Sequence, residues 1–302
     1  MFPKLIMLVG IPGSGKSTYA KKYKERYIND PVEIVSSDHI RKELYGDENC
    51  QDNPQQVFEL MQERTLEYLA NGVSVIYDAT NLVRKHRMQL LERCPTYIQK
   101  EAHIIWSDVE ECISRDENRD RTVGKSVITR MLKTFQPPYF DEGYARIFVI
   151  HPDNWNIYER SYMLELENRM NIDQHNQHHT KTVLKHCNDT ERFLENSNTS
   201  SRCRLLLSFA GRWHDVGKPF TQTFYDRKGE LTSEAHYYGH QSYGAWLIYG
   251  LTLDIPATYL VDVAWLVGVH MDPYLNTRYW KALPKFLKSN VDLLHTADVD
   301  AH

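Results

Sequence analysis

The chain has 302 residues, 41% of them hydrophobic and 25% charged, with a formal net charge of −4. That composition fits an ordinary globular protein with room for two domains, and it excludes a broad nucleic-acid-coating surface while leaving room for a local basic groove. No uncharged apolar stretch approaches the roughly 20 residues that span a bilayer, the opening MFPKLIMLVG is too short for a signal peptide, and the 5 cysteines are scattered without a CxxC pair; reduced thiols in a cytoplasmic protein without membrane contact are expected.

The apolar run Lys4–Gly10 predicts a buried strand, and Ser17–Tyr27 a helix. Between them, Gly10-Ile-Pro-Gly-Ser-Gly-Lys16-Ser17 fits the phosphate-loop pattern GxxxxGK[ST] in the strand-to-helix setting that the pattern requires. The glycines Gly10, Gly13 and Gly15 let backbone N–H groups turn toward phosphate oxygens, with Ser14 and Thr18 in the same cradle. Lys16 would bridge the β and γ phosphates of ATP or another NTP, and Ser17 would hold Mg²⁺. A glycine-rich turn matching by chance is the alternative.

Further strands are predicted at Val32–Val35, Val73–Asp78, Ala102–Trp106 and Arg146–Ile150. Between them run helices, one capped by Asn53, begun by Pro54 and ended near Asn71-Gly72. Alternating strands and helices predict an α/β domain, a parallel sheet with helices on both faces, over 1–152. The second strand leads into Ser37-Asp38-His39-Ile40-Arg41, which puts a carboxylate and a guanidinium on one side. Asp38 could take the proton of an attacking hydroxyl while Arg41 orients a phosphate, or the two could be a helix cap and a solvated arginine. The third strand ends in Asp78-Ala-Thr80-Asn81, at the sheet edge where open α/β sheets bind ligands, and a basic run Arg84–Arg87 follows. Arg115, Arg119 and Arg121 stand in a helix-to-loop stretch that could cover nucleotide phosphates.

The combination GIPGSGKST, SDHIR and DATNL, with the arginine-bearing RDENR, resembles the 5′-hydroxyl polynucleotide kinase domain of phage end-repair enzymes over about residues 1–150. The resemblance implies that Asp38 is the general base, that Arg41 contacts the acceptor's phosphate, that Asp78 helps shape the acceptor site with Thr80 and Asn81, and that Arg119 lies on the donor phosphates. A phage-encoded protein would act in the host cytoplasm. The Asp-x-x-Arg element is shared with other small phosphate-loop kinases.

After Ile150, His-Pro-Asp-Asn breaks the pattern. A linker is expected over 153–170 and an all-α domain over 171–302, with one small β-hairpin turning at Asp226–Gly229 and a polar, partly looped stretch at Asn188–Ser201. In that half, His186, His214-Asp215, His240, His270 and Asp298 recur in apolar helical surroundings. Imidazoles and carboxylates suit divalent transition metals, and an Asp beside a His can bridge two ions that activate water and clamp a phosphoryl group. Any one of these histidines alone would be an ordinary core or surface residue. His175, His178, His179 and His236 have no assigned role.

The order H…HD…H…H…D resembles the HD-domain phosphohydrolase superfamily over about residues 170–302, and HDVGKPFTQTF with AHYYGHQSYGA is similar to the HD modules fused to tRNA nucleotidyltransferases. It implies His186, His214, Asp215 and Asp298 as core ligands, His240 and His270 as ligands of a two-metal subgroup holding Mn, Ni, Co, Fe or Zn, and Lys218 as the group that neutralises a scissile phosphate. Together the two resemblances imply a bifunctional end-healing enzyme. It would phosphorylate 5′-OH polynucleotide ends and remove 2′,3′-cyclic, 3′- or 2′-phosphates from nucleic-acid ends, RNA before DNA, ahead of a separate ligase. A small-molecule kinase fused to an HD nucleotidase, or a kinase with a non-catalytic HD module, are the alternatives.

Overall fold

A computed structural model describes residues 3–27, 31–119, 122–175 and 180–301. The chain divides into two compact units, one of residues 1–129 and 138–152 and the other of 130–137 and 153–302.

In the first unit the elements run β1 (Lys4–Val9), α1 (Lys16–Arg26), β2 (Val32–Ser36), α2 (Ser37–Tyr45), α3 (Pro54–Ala70), β3 (Ser74–Asp78), α4 (Arg84–Leu91), β4 (Gln99–Ile105) and α5 (Val109–Glu117). After α6 (Lys125–Leu132), whose last residues group with the second unit, β5 (Arg146–Ile150) completes an all-parallel sheet of order β2-β3-β1-β4-β5. The link from β1 to β2 crosses the sheet one way and the later links the other, so right-handed crossovers place helices on both faces. Central β1 is an unbroken apolar run, as a strand covered on both faces must be, and Ile6 and Leu8 pack with Ala20, Val32, Ile76 and Ile105. Asn53 caps α3 as expected, its side chain accepting from Gln56 N.

The basic run after β3 holds a surprise. Arg87 is fully buried, paired with Glu142 at 2.6 Å and donating to the Asn81 carbonyl at 3.0 Å, so it fixes the β3–α4 turn rather than offering charge to a ligand.

The second unit begins earlier than the sequence suggests. Phe135 packs edge-on against Trp246 and near Tyr249, which draws 130–137 into this core. The expected linker over 153–170 is a helix, α7 (Trp155–Met170), whose Trp155 indole donates to the Gly250 carbonyl. Then come α8 (Val183–Glu195), α9 (Ser201–Trp213), α10 (Lys218–Thr221), the antiparallel hairpin β6 (Thr223–Tyr225) and β7 (Leu231–His236), α11 (His240–Ile248), α12 (Ala257–Val269), α13 (Asp272–Leu275), α14 (Arg278–Ala282) and α15 (Lys285–Asp300). The hairpin turns where expected, with Gly229 at a φ of 85°. The stretch expected to be partly looped is helical as far as Glu195: buried Thr190 and Leu194 hold it to the core despite its polar composition.

Candidate active sites

The first site is built at the carboxyl ends of β1, β2 and β3. The loop after β1 is held by Gly10 N donating to the Thr80 carbonyl at 3.0 Å. Gly13 and Gly15 have φ values of 82° and 96°, and a Cβ on Gly13 would lie 2.1 Å from the Cys112 carbonyl oxygen, so both conformation and space call for glycine. Ser14 is buried, and Thr18 is exposed on the first turn of α1. Lys16 Nζ donates to the Ile11 carbonyl at 2.8 Å, and burial lowers its pKa to about 8 against the pull of Asp78. Ser17 Oγ donates to Asp78 Oδ2 at 2.9 Å, which places hydroxyl and carboxylate together at the foot of the loop. Burial raises the Asp78 carboxyl, while Lys16 and Ser17 oppose it.

Asp38 opens α2 beside this group, since Ser36 of β2 pairs in register with Asp78 of β3. Arg41 Nη1 donates to Asp38 Oδ1 at 3.1 Å, with Asp38 47% exposed. The Arg41 Nε–H is buried and has no hydrogen-bond partner among the described residues. Asn81 has a φ of 49° and its Nδ2 donates to the Leu8 carbonyl at 2.7 Å, tying β3's exit to β1. Arg115 bonds back to the Gly13 carbonyl and to Ser107 Oγ, bracing the loop. Arg119 is exposed just past α5, and Arg121 lies outside the described residues.

The second site lies inside the C-terminal unit, where α8 carries His186, α15 carries Asp298, and α9 and α12 end immediately before His214 and His270. All six expected residues are buried and converge in two groups that share Asp215. Asp215 Oδ2 lies 3.4 Å from His214 Nε2 and 3.7 Å from His186 Nε2. Both nitrogens are also close to Asp298 Oδ1, at 3.2 and 2.9 Å. Asp215 Oδ1 faces the other way, 3.2 Å from His240 Nε2 and 3.7 Å from His270 Nε2. Gly217 keeps these parts close, because a Cβ there would sit 2.0 Å from the His240 carbonyl oxygen.

Hydrogen bonds fix the tautomers. The Nδ1 atoms of His214, His240 and His270 lie 2.7 to 2.8 Å from the carbonyls of Gly211, Tyr237 and Val267. A carbonyl only accepts, so each Nδ1 donates and each neutral ring turns its Nε2 lone pair inward. The Nε2 atoms of His240 and His270 are 3.2 Å apart, and those of His186 and His214 also 3.2 Å. For His240 and His270, lone pairs at that spacing repel unless a cation or a proton stands between them. Burial, then the neighbouring imidazoles, lower His270 to about 3, so a proton is disfavoured there. On the other side burial also opposes charge, yet Asp215 and Asp298 outweigh it and lift His214 well above its usual range. The gathered donor set of imidazole nitrogens and carboxylate oxygens fits divalent metal ions.

Two contributors, Gln174 and Tyr274, carry no sequence signal. Lys218 Nζ reaches Asp215 Oδ2 at 2.6 Å and is steadied by buried Gln174, whose Oε1 accepts from it at 2.7 Å. The Tyr274 hydroxyl donates to Asp298 Oδ2 at 3.1 Å. His175 carries the Ala235 N–H on its carbonyl and His236 bonds Thr232, so both serve the hairpin; His178 and His179 lie outside the described residues. The last turn of α15 is anchored by Lys181 Nζ donating to the Ala301 carbonyl at 2.6 Å.

Comparison with known proteins addresses the first unit. Residues 5–138 match the family model described as an AAA domain. The N-terminal unit is a P-loop kinase-like domain. No curated protein matches the chain. A solved structure of the Pnkp1/Rnl/Hen1 RNA repair complex aligns at 28% identity over 43% of this chain and 43% of its own, with a TM-score of 0.39. Another structure of a Pnkp1/Rnl/Hen1 complex aligns at 30% identity over 38% of this chain and 39% of its own, with a TM-score of 0.34. The chain thus spans about two fifths of the length of these two. A gluconokinase from Sinorhizobium meliloti 1021 aligns at 22% identity over 50% of this chain and 83% of its own, with a TM-score of 0.35. At these TM-scores the alignments say nothing of substrate. Among the described residues no helix is long and apolar enough to cross a membrane.

Proposed function

We propose that the chain is a bifunctional end-healing enzyme. The N-terminal unit transfers a phosphoryl group from an NTP to a 5′-OH polynucleotide end, and the C-terminal unit removes a 2′,3′-cyclic, 3′- or 2′-phosphate from the other end of the break. The observation that carries this reading is the presence, in one chain, of a phosphate loop facing Asp38–Arg41 and a buried His–Asp cluster in which Asp215 serves two ligand groups.

In the first reaction Lys16, released from the Ile11 carbonyl, would meet the donor phosphates, and Ser17 with its partner Asp78 would hold Mg²⁺, which supplies positive charge for the phosphoryl transfer. Asp38, half-exposed at the start of α2, accepts the proton of the attacking hydroxyl. Arg41 has an unused buried donor for the acceptor's phosphate, and exposed Arg119 closes on the donor. Thr80 and Asn81 shape the acceptor side.

In the second reaction His186, His214, Asp215 and Asp298 would hold one divalent ion, and Asp215, His240 and His270 another. When bound, such ions supply Lewis-acid charge for water activation and for polarising a phosphoryl group. Lys218 adds a cation at the same edge: burial opposes its charge, but Asp215 holds it on. RNA is the favoured substrate, since breaks left by ribonucleases carry both lesions, and a separate ligase would seal the healed ends.

The test is end-group analysis of oligonucleotides with 5′-OH and 2′,3′-cyclic phosphate termini, incubated with ATP, Mg²⁺ and each of Mn²⁺, Ni²⁺ and Co²⁺. Both ends should be converted. Phosphorylation of mononucleosides or sugars alone, with oligonucleotides untouched, would contradict the reading.

A further inference from the structure

Between Pro273 and Val291 the chain has no aspartate or glutamate, yet it holds Arg278, Lys281, Lys285 and Lys288, in a protein of formal net charge −4. This segment joins His270 to Asp298, two members of the buried cluster. Arg278 and Lys281 stand one turn apart on α14, and Lys285 and Lys288 one turn apart at the start of α15. The first three are exposed and Lys288 is half-buried. Among the described residues, none of the four has a carboxylate within ion-pair distance.

The two pairs belong to one surface. The Trp280 indole N–H donates to Asp292 at 2.9 Å, and Lys288 Nζ lies 4.0 Å from the centroid of the same ring, so Trp280 ties α14 to α15. The first turn of α15 contains no acidic residue, which sets its lysines against the helix's own positive end. That arrangement lowers stability until an anion approaches, the kind of local conflict expected where a ligand binds. Aromatic rings stand among the cations: Phe286 is 69% exposed, and Tyr274 is 45% exposed while its hydroxyl touches Asp298. Cations for backbone phosphates, beside aromatic faces for bases, are the parts of a single-strand site. A membrane would instead require a broad apolar face, whereas here exposed Tyr274, Leu275 and Phe286 are interspersed with Arg278, Lys281 and Lys285.

We propose that α13, α14 and the start of α15 form a track for single-stranded nucleic acid whose terminal phosphate enters the Asp215 cluster. The proposal rests on reading that cluster as a phosphohydrolase centre.

The test is the full-length Lys281→Ala/Lys285→Ala protein, altered only at exposed side chains outside the cluster. Its binding to a 5′-fluorescein-labelled oligouridylate, whose blocked end is no kinase acceptor, is followed by anisotropy across a salt series. Hydrolysis of bis(p-nitrophenyl) phosphate with Mn²⁺ is measured alongside. The dissociation constant should rise about tenfold at low salt, and the slope of log affinity against log salt should fall by about 1.4, about 0.7 per lost phosphate contact. Hydrolysis of the small diester should be unchanged. An unaltered affinity and slope would overturn the track. If the slope falls as expected but even the unaltered protein hydrolyses no diester with Mn²⁺, Ni²⁺ or Co²⁺, the strand surface stands and the phosphohydrolase reading fails. Loss of binding to phosphatidylserine vesicles with oligouridylate binding intact would assign the surface to a membrane and overturn the proposal.

Discussion

Among the described residues, Asp215 is the one whose two oxygens face different groups of histidines. Burial works against its carboxylate, but Lys218 and His214 outweigh burial and hold it well below the usual range. Asp215→Asn keeps the shape and removes the charge, so the two groups lose their shared ligand together. Metal analysis after gel filtration should show about two ions per chain in the unaltered protein and few or none in the variant; equal metal in both would mean that the cluster is a buried polar network. At this scale the sequence was informative about which residues would gather, because His and Asp are rare in apolar helices. It was silent about Gln174 and Tyr274, whose roles arise only from where the fold brings Lys218 and Asp298. It was also silent about the burial of Arg87, which depends on Glu142, distant in sequence, closing on it.

At the scale of elements, the strands and the capped helix α3 were legible because periodicity and capping are local. The linker was not: α7 is held by tertiary contacts such as Trp155 to Gly250 and Tyr162 to the Leu247 carbonyl, which no local pattern announces. The β1–β4 pairing contains a polar network of the same non-local kind. Glu101 on β4 takes hydrogen bonds from Lys4 on β1 at 3.2 Å and faces His103 Nε2 at 3.3 Å, while His103 Nδ1 meets the Tyr19 hydroxyl at 2.8 Å. The His103 bond, against burial, and then Lys4 lower the Glu101 pKa. A carboxyl depressed in the folded state contributes stability that is full above its unfolded pKa of about 4.3 and disappears as pH falls through the lower folded value. Glu101→Gln should therefore cost on the order of 1–3 kcal/mol near neutrality, and the difference from the unaltered protein should shrink below about pH 4. Urea unfolding at a series of pH values checks this, and a difference that does not depend on pH would contradict it.

For the whole molecule, each unit contains its own set of candidate residues. Lys16, Ser17, Asp38 and Asp78 come from the first, and all six members of the His–Asp cluster come from the second. Neither set borrows from the other, so the two proposed activities should be separable by single substitutions. The most direct measurement is end-group analysis of the same oligoribonucleotide with Lys16→Ala and Asp215→Asn proteins. The account predicts that Lys16→Ala leaves the 5′-OH unphosphorylated while still opening the 2′,3′-cyclic phosphate, and that Asp215→Asn does the reverse, each losing its own activity by at least about a hundredfold. Loss of both activities from either substitution, or of neither, would contradict it.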